Sequence, residues 1–209
     1  GQKVRFCVNK VRKGKAEARL LEVMEQSPLE VGAPCSYFGL CGGCTYLSLP
    51  YEEQLKIKGE QVKKLLDSVL SRQETGYEWE GIKASPKEYE YRNKMEFSFS
   101  NSRWLTQYEI SAEENYGNRD ALGFHIPGQW SKILDLNECY LQEDPSNAMR
   151  LFVKNFAVNN YLEFFDVREQ KGLLRTFMLR QNSKGEWMLL FQFYKDNKEK
   201  RLLLLEAVL

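Results

Sequence analysis

Three of the chain's five cysteines fall within ten residues, and they are the strongest chemical signal in the sequence. Cys35, Cys41 and Cys44 are spaced C-x5-C-x2-C, with Gly42 and Gly43 between the last two. Thiolates are soft ligands that favour iron–sulfur clusters, zinc or monovalent copper, and glycine lets a loop wrap closely around such a centre. Free cysteines can also serve as small buried hydrophobic residues. Three of them at this spacing favour a metal site instead.

A site of this kind needs a fourth thiolate, and the sequence offers Cys7 and Cys139. Cys7 lies in a strand-like pattern among apolar neighbours, which favours core packing. Cys139 lies between a short strand-like segment and a helix, where a loop can fold back onto the first three cysteines. Zinc sites usually add a second short cysteine pair or histidines. A single, distant fourth ligand therefore favours a cubane iron–sulfur cluster held by three local thiolates and one remote thiolate.

The elements that must position these cysteines follow from the hydrophobic pattern. Residues 3–11 alternate as a half-buried strand, and a basic turn leads to a second strand over residues 16–24, so the two are expected to form a hairpin. Two strands are not stable alone, and we therefore expect the rest of a small β-barrel upstream of them. After the cysteine loop, apolar residues recur at helical spacing from residue 49 to about Ser71.

The second half of the chain predicts strands with helices beside them. Strands are expected over residues 77–84, 91–100, 103–110, 121–126, 133–136, 173–181 and 187–194, and helices from residues 144 and 195. Long helices beside antiparallel strands, without βαβ alternation, indicate an α+β fold. The sequence contains no run of about twenty apolar residues, which a membrane-spanning helix requires. No signal peptide opens the chain. Clustered free cysteines without a secretory context then indicate a reducing cytoplasm.

Several short motifs accompany the cysteines in a fixed order. They are C-x5-C-G-G-C, Leu-Pro-Tyr-Glu-Glu-Gln-Leu at residues 49–55, Tyr-Arg-Asn-Lys at 91–94, Gly-Phe-His at 123–125 and the segment around Cys139. In order and spacing, this combination resembles the iron–sulfur RNA (uracil-5-)-methyltransferases over nearly the whole chain. One departure is that many members of that family carry a Gln and a His or Asn shortly after the third cysteine, where this chain has Leu47 and Ser48.

The resemblance implies a domain organisation. Residues 1–33 would be the C-terminal part of an OB-like TRAM barrel, and residues 34–194 would be an iron–sulfur central domain built from an antiparallel sheet and helices. Residues 195–209 would begin a helix leading to a missing methyltransferase domain. The residues that would ligate a [4Fe-4S] cluster are Cys35, Cys41, Cys44 and Cys139.

The resemblance also implies a function, which is RNA recognition within an enzyme that forms 5-methyluridine. In that family a cysteine thiolate attacks uracil C6, S-adenosylmethionine methylates C5 and a carboxylate removes the C5 proton. All three would belong to the missing domain, and no G-x-G fingerprint for a nucleotide-like cofactor occurs in this chain. The chain alone is therefore expected to be catalytically inactive.

The expected partner is structured RNA in the cytoplasm, with a stem-loop preferred because its unpaired bases are accessible, and the expected state is a monomer. The net charge of +1 is uninformative because 30 basic residues nearly cancel 29 acidic ones, so any RNA face must come from local segregation of charge. The candidate RNA-binding residues are Arg92, Lys94, Arg103, His125 and Lys132, and Trp104 or Trp130 could stack on an unpaired base. Each could instead be a solvated surface charge or a core residue.

Two other classes of protein remain open on the sequence. One is a complete, non-catalytic RNA-binding module stapled by a structural zinc or iron–sulfur site, and the other is a ferredoxin-like electron carrier. The apolar segment at residues 202–209, which nothing in the sequence covers, favours a piece of a longer protein over a complete module.

Overall fold

A computed structural model of the chain describes residues 1–70, 76–112 and 117–209, and the chain divides into two units. Unit 1 comprises residues 1–34 and 46–85, and unit 2 comprises residues 35–45 and 86–209. The cysteine loop thus belongs to unit 2, although the segments on both sides of it belong to unit 1. The sequence predicted one central domain from residue 34 to residue 194, whereas the structure groups the helix after the loop with the N-terminal hairpin.

Unit 1 contains the predicted hairpin, formed by β1 (Lys3–Arg12) and β2 (Lys15–Glu25). Its tip is a two-residue turn in which Lys13 and Gly14 have φ values of 50° and 73°, and positive φ at both positions is typical of a type I′ hairpin turn. Every residue of both strands is exposed. Within the described residues, neither face of this two-stranded sheet is covered.

The helix of unit 1 is α1 (Tyr51–Leu70), as the apolar spacing predicts; its expected end at Ser71 lies outside the described residues. Gly59 is buried where a Cβ would lie 3.7 Å from Ile82 Cγ2, and the Ser85 N–H donates to the Tyr51 hydroxyl at 2.7 Å. Residues 77–84 therefore run against α1 without regular structure. The predicted strand there is wrong, because the segment packs on a helix and has no strand partner among the described residues.

Unit 2 is built on a five-stranded antiparallel sheet in the order β5-β4-β3-β6-β7. The strands are β3 (Lys94–Ser100), β4 (Ala121–Ile126), β5 (Gln129–Asp135), β6 (Leu174–Gln181) and β7 (Trp187–Phe193). The predicted strand that begins at residue 91 is shorter than expected. The Arg92 N–H donates to the Leu141 carbonyl at 2.9 Å, so the backbone at Arg92 bonds a loop, and the bonding to β6 begins only at Asn93, whose carbonyl accepts from the Gln181 N–H.

The described residues of unit 2 also form the helices α2 (Gln107–Ser111), α3 (Ser146–Asn159) and α4 (Lys198–Ala207). Residues 103–110 were predicted as a strand, and this is wrong. The Thr106 hydroxyl accepts from the Glu109 N–H at 3.2 Å, while the Glu109 carboxylate accepts from the Thr106 N–H at 2.8 Å. This reciprocal capping box starts a helical turn instead.

The core of unit 2 lies between the helices and the inner face of the sheet. Met95, Phe97 and Phe99 of β3 point into it, and α3 contributes Val153. Leu204 of α4 is fully buried in the same core, so the C-terminal apolar segment is partly covered by its own unit, contrary to expectation. Among the described residues, no helix has the length and apolar character that crossing a membrane requires.

Candidate metal centre and RNA-binding face

The loop over residues 35–45 is fixed by tight turns and by a bond to the segment that carries the fourth cysteine. The Cys41 N–H donates to the Tyr37 carbonyl at 2.8 Å, and the Gly43 N–H donates to Cys41 Sγ at 3.4 Å. The Tyr37 hydroxyl accepts from the Asn137 N–H at 2.9 Å. The loop is therefore tied to the chain two residues before Cys139.

Two of the three glycines in the loop, Gly42 and Gly43, lie close to the rest of unit 2 or to the loop's own cysteines. A Cβ on Gly42 would lie 3.2 Å from Pro127 Cγ, in the turn between β4 and β5. A Cβ on Gly43 would lie 3.4 Å from Cys41 Sγ and 3.8 Å from Leu141 Cδ1. The Gly42 contact is closer than most side chains tolerate, whereas the Gly43 distances are ordinary van der Waals contacts, so Gly42 is the glycine that fits the close wrapping that the sequence predicts.

The four predicted ligands share one electrostatic neighbourhood. Burial raises the pKa of the Cys44 thiol most, and the charges of Cys139, Cys41 and Cys35 raise it further, while the nearby Arg92 lowers it. Burial is also the main cause that raises the pKa of Cys41 and of Cys139, and Cys35 adds to both effects. Cys7, by contrast, is exposed on β1 in unit 1.

The four thiols lie near one another, but their sulfur atoms are not placed to ligate one metal ion. Within residues 1–70, 76–112 and 117–209, no three His, Cys, Asp or Glu side chains are arranged closely enough to hold a metal ion as they stand. The surroundings nevertheless fit a thiolate-held cluster. The cysteines are partly buried, and hydrogen bonds from backbone N–H groups such as that of Gly43 are among the features that tune cluster sulfurs.

Two buried polar side chains lie close to Cys139 in sequence or in space. Gln142 is only 2% exposed, and neither polar atom of its amide has a hydrogen-bond partner within the described chain. Arg150 is fully buried, and its charge influences the Cys139 thiol. A buried amide donor and a buried cation are suitable neighbours for an anionic cluster, since unpaired buried polar groups are otherwise costly.

Arg150 also positions the fourth cysteine from α3. Its Nη1 donates to the Leu136 carbonyl and its Nη2 donates to Asn147 Oδ1 at 3.3 Å. Asn147 Oδ1 in turn accepts from the Cys139 N–H at 2.8 Å, and Asn147 Nδ2 donates to the Cys139 carbonyl at 3.3 Å. Sequence reasoning missed this network. The signal was present, because Arg150 shares the buried helical face of Val153 and Ala157 at spacings of three and seven.

The candidate RNA-binding residues divide into two groups in the structure. Lys94 and His125 are exposed on the outer face of the sheet, where Lys94 pairs with Glu96 at 3.5 Å and His125 Nε2 lies 3.3 Å from Ser98 Oγ. Arg92 is also exposed, but it precedes β3 and its charge acts on Cys44. Residues 91–100 were expected to form one strand, but Arg92 lies outside β3 and therefore does not share a strand face with Lys94.

The other two candidates are half-buried and engaged with protein groups. Arg103 Nη2 lies 2.9 Å from Glu109 Oε1. Lys132 Nζ donates to Ser102 Oγ at 2.7 Å. Burial lowers the pKa of Lys132, and the positive charges of Arg119 and Arg168 lower it further. Arg103 thus braces α2, whereas Lys132 marks a place where three cations lie near one another.

Comparison with known proteins points to RNA methyltransferases. No family model matches the chain. The whole chain is 38% identical to a protein of Porphyromonas gingivalis named uncharacterized RNA methyltransferase, and it covers 45% of that protein. A protein of the same name from Bacteroides thetaiotaomicron is 37% identical over 91% of the chain, with 41% of the relative covered.

A relative with a more specific name is the tRNA (uracil(54)-C(5))-methyltransferase of Pyrococcus horikoshii, which is 30% identical over 87% of the chain and covered to 38% of its length. The crystal structure of Pyrococcus abyssi tRNA (uracil-54, C5)-methyltransferase in complex with S-adenosyl-L-homocysteine matches 95% of this chain and 41% of its own, with a TM-score of 0.59 and 23% identity. The latter likeness shows a shared fold. The chain is thus similar over 87–100% of its length to part of these proteins named RNA methyltransferases, and it spans less than half the length of the curated relatives it matches.

Proposed function

We propose that the chain is the RNA-recognising and cluster-holding portion of an S-adenosylmethionine-dependent RNA (uracil-C5-)-methyltransferase. The observation that carries this proposal is the similarity along the whole chain to RNA methyltransferases, one of which is named for uracil C5 in tRNA. The motif order C-x5-C-G-G-C, Tyr-Arg-Asn-Lys, Gly-Phe-His and Cys139 supports it independently of those names. The hairpin β1–β2 would contribute to a TRAM-like barrel.

The residues that would hold a [4Fe-4S] cluster are Cys35, Cys41, Cys44 and Cys139. A bound cluster would supply a rigid, charged cross-link between the loop at residues 35–45 and the segment after β5. The chain's own groups support that arrangement. Asn147 holds the Cys139 backbone from α3 and is itself held by Arg150, and the Tyr37 hydroxyl joins the loop to Asn137.

Methylation of uracil C5 needs a nucleophile and a base, and we place both, with the methyl-donor site, in a part of the protein outside this chain. This chain would then recognise the structured RNA, while the rest of the protein would carry out methylation. We expect it to act as a monomer in a reducing cytoplasm, where free thiols persist.

The test of this function uses the 209-residue chain with a stem-loop RNA and with a continuous duplex. We expect tighter binding to the stem-loop, because specific RNA recognition usually targets unpaired bases, and a methylase must reach a base outside the stack. With S-adenosylmethionine added, no 5-methyluridine should form. Filter binding and nucleoside analysis measure the two results. Equal binding to both RNAs, or methylation by this chain alone, would contradict the proposal.

A further inference from the structure

A concave pocket lies on the outer face of the sheet in unit 2, and none of the cysteines lines it. Its volume is about 310 Å³, which is within the range of small-ligand sites. Its apolar lining includes the buried Ile133 and Phe165. Side chains from β3, β4, β6 and β7 contribute to its polar wall, among them Ser98, His125, Thr176, Gln192 and the carboxylate of Glu96. The pocket therefore has an apolar part and several hydrogen-bonding groups.

The polar wall is arranged so that donors and acceptors remain for a ligand. Thr176 Oγ1 donates to Gln192 Oε1 at 3.1 Å, which directs the donor half of the Gln192 amide to other partners. His125 Nε2 and Ser98 Oγ lie 3.3 Å apart and offer a further donor–acceptor pair. An amide together with hydroxyl and imidazole groups is suited to the edge of a heterocyclic base.

The rim of the pocket carries an aromatic ring and a stacked cation. Trp130 is 68% exposed at the start of β5 and lines the pocket. Arg175 lies with its guanidinium 5.0 Å from the centre of the Phe165 ring and 5.7 Å from that of Tyr194. An exposed indole ring is costly to leave in water, and both groups are surfaces on which a base can stack.

A second, smaller hollow of about 190 Å³ adjoins the first and shares Ser131 and Val167 with it. Arg168 lines it, and Lys132 bonds Ser102 at its edge. The positive charges of Arg119 and Arg168 act on Lys132, so cations converge there. Asp166 also lines the hollow. Its carboxylate oxygens already accept from Asn101 Nδ2 and from the Arg168 and Glu169 N–H groups, each at 2.9 Å.

We propose that the two hollows together bind one unpaired nucleotide of the RNA, with its base in the larger pocket against Trp130 and its phosphate beside Lys132 and Arg168. This inference rests on the proposed function, which supplies RNA as the partner. It adds a binding site that is distinct from the cysteines. Cations neutralise phosphates, and aromatic rings bind bases that have left the stack. Because the two hollows share Ser131 and Val167, the base in one hollow and the phosphate in the other can belong to the same nucleotide.

The test compares binding of a stem-loop RNA by the 209-residue chain and by single-residue variants, measured by fluorescence anisotropy. Trp130→Ala should weaken binding about tenfold or more, because one stacked base is lost, while Trp130→Phe should retain most of the affinity. Gln192→Ala should weaken binding through the base edge. The matched control is Tyr108→Ala, which removes an exposed aromatic ring on α2 and should leave binding unchanged. Circular dichroism checks that each variant is folded.

A second arm identifies the bound base. Loop nucleotides of the RNA are made abasic one at a time, and one position should weaken wild-type binding as much as Trp130→Ala does, with no further loss when the two changes are combined. If the wild-type chain binds the stem-loop but Trp130→Ala and Gln192→Ala bind equally well, the pocket assignment is overturned and the proposed function stands. If the wild-type chain does not bind the stem-loop, the proposed function is overturned together with the pocket.

Discussion

Cys139 is the residue on which the candidate metal centre depends most clearly, since it is the one ligand supplied from outside the loop at residues 35–45. We expect anaerobically purified chain to contain about four irons, with broad absorption in the blue part of the visible spectrum. Cys139→Ser should lose or degrade the cluster, because a hydroxyl replaces a soft thiolate. Iron analysis and absorption spectra measure both effects.

The matched control for this change is Cys7→Ser, because Cys7 is exposed on β1 of unit 1 and should not affect iron content. Iron loss in both variants alike would refute the choice of ligands. Stoichiometric zinc with no iron in the wild-type protein would refute the cluster and favour a structural zinc site in a non-catalytic RNA-binding module.

Single residues also show what the sequence could and could not reveal about the site. The spacing of Cys35, Cys41 and Cys44 is local and is visible without a structure. The role of Arg150 depends on bonds to Leu136 and Asn147, which only the folded chain defines. A charged residue on a buried helical face is a visible signal, but the sequence does not say which carbonyl it will reach.

At the scale of secondary structure, Gly123 sets the distance between β4 and β5. A Cβ at this position would lie 1.9 Å from the Leu134 carbonyl oxygen, so no side chain fits unless the two strands separate. We expect Gly123→Ala to lower the free energy of unfolding by about 3 kcal/mol, the upper part of the usual cost of overpacking. Urea denaturation measures the change.

Gly117→Ala provides the comparison, because a Cβ there meets no atom of the described residues within 4 Å; it should change stability by less than about 0.5 kcal/mol. Equal stability of the two variants would show that β4 and β5 can separate without cost. The Gly-Phe-His motif would then owe its glycine to something other than strand spacing.

The charges at the start of β3 provide a test of the proposed RNA-binding face. Lys94 is exposed there and Arg92 is exposed just before it. If each contacts one phosphate, the double variant Arg92→Ala with Lys94→Ala should weaken stem-loop binding. It should also make the slope of log affinity against log salt less steep by about 1.4, since single strands contribute about −0.7 per phosphate. Affinity measured over a series of salt concentrations gives the slope.

Lys184→Ala, which removes an exposed charge from the β6–β7 turn, is the control and should leave the slope unchanged. The prediction would be contradicted if the Arg92→Ala, Lys94→Ala double variant bound RNA normally but lost iron or stability. Arg92 and Lys94 would then brace the core near Cys44, and the RNA face would lie elsewhere.

Strands and helices were predictable where a local rule decided them. The hairpin β1–β2, the helices α1 and α3 and the strands β4, β6 and β7 follow from periodicity and turn residues. Two predicted strands failed for different reasons. At residues 103–110 the capping box of Thr106 and Glu109 stabilises a helical turn instead of a strand. At residues 77–84 the chain packs on α1.

At the scale of the whole molecule, the grouping of segments into units was not predictable. The sequence places α1 directly after the cysteine loop, and contiguity suggests one domain. The structure instead assigns the loop to unit 2 and α1 to unit 1. Contacts such as those of Gly42 with Pro127 and Tyr37 with Asn137 join residues far apart in sequence, and no periodicity signals such pairs.

This interleaving has a consequence for how the protein is made. The three loop thiols leave the ribosome well before Cys139, and at about 5–20 residues per second roughly ten seconds separate Cys44 from it. Throughout that interval the loop has neither its fourth thiol nor the sheet of unit 2 against which Gly42 packs. Under the proposed function, a cluster would therefore be inserted only after unit 2 has been synthesised, and a shortage of iron would affect the newly made chain before the mature one.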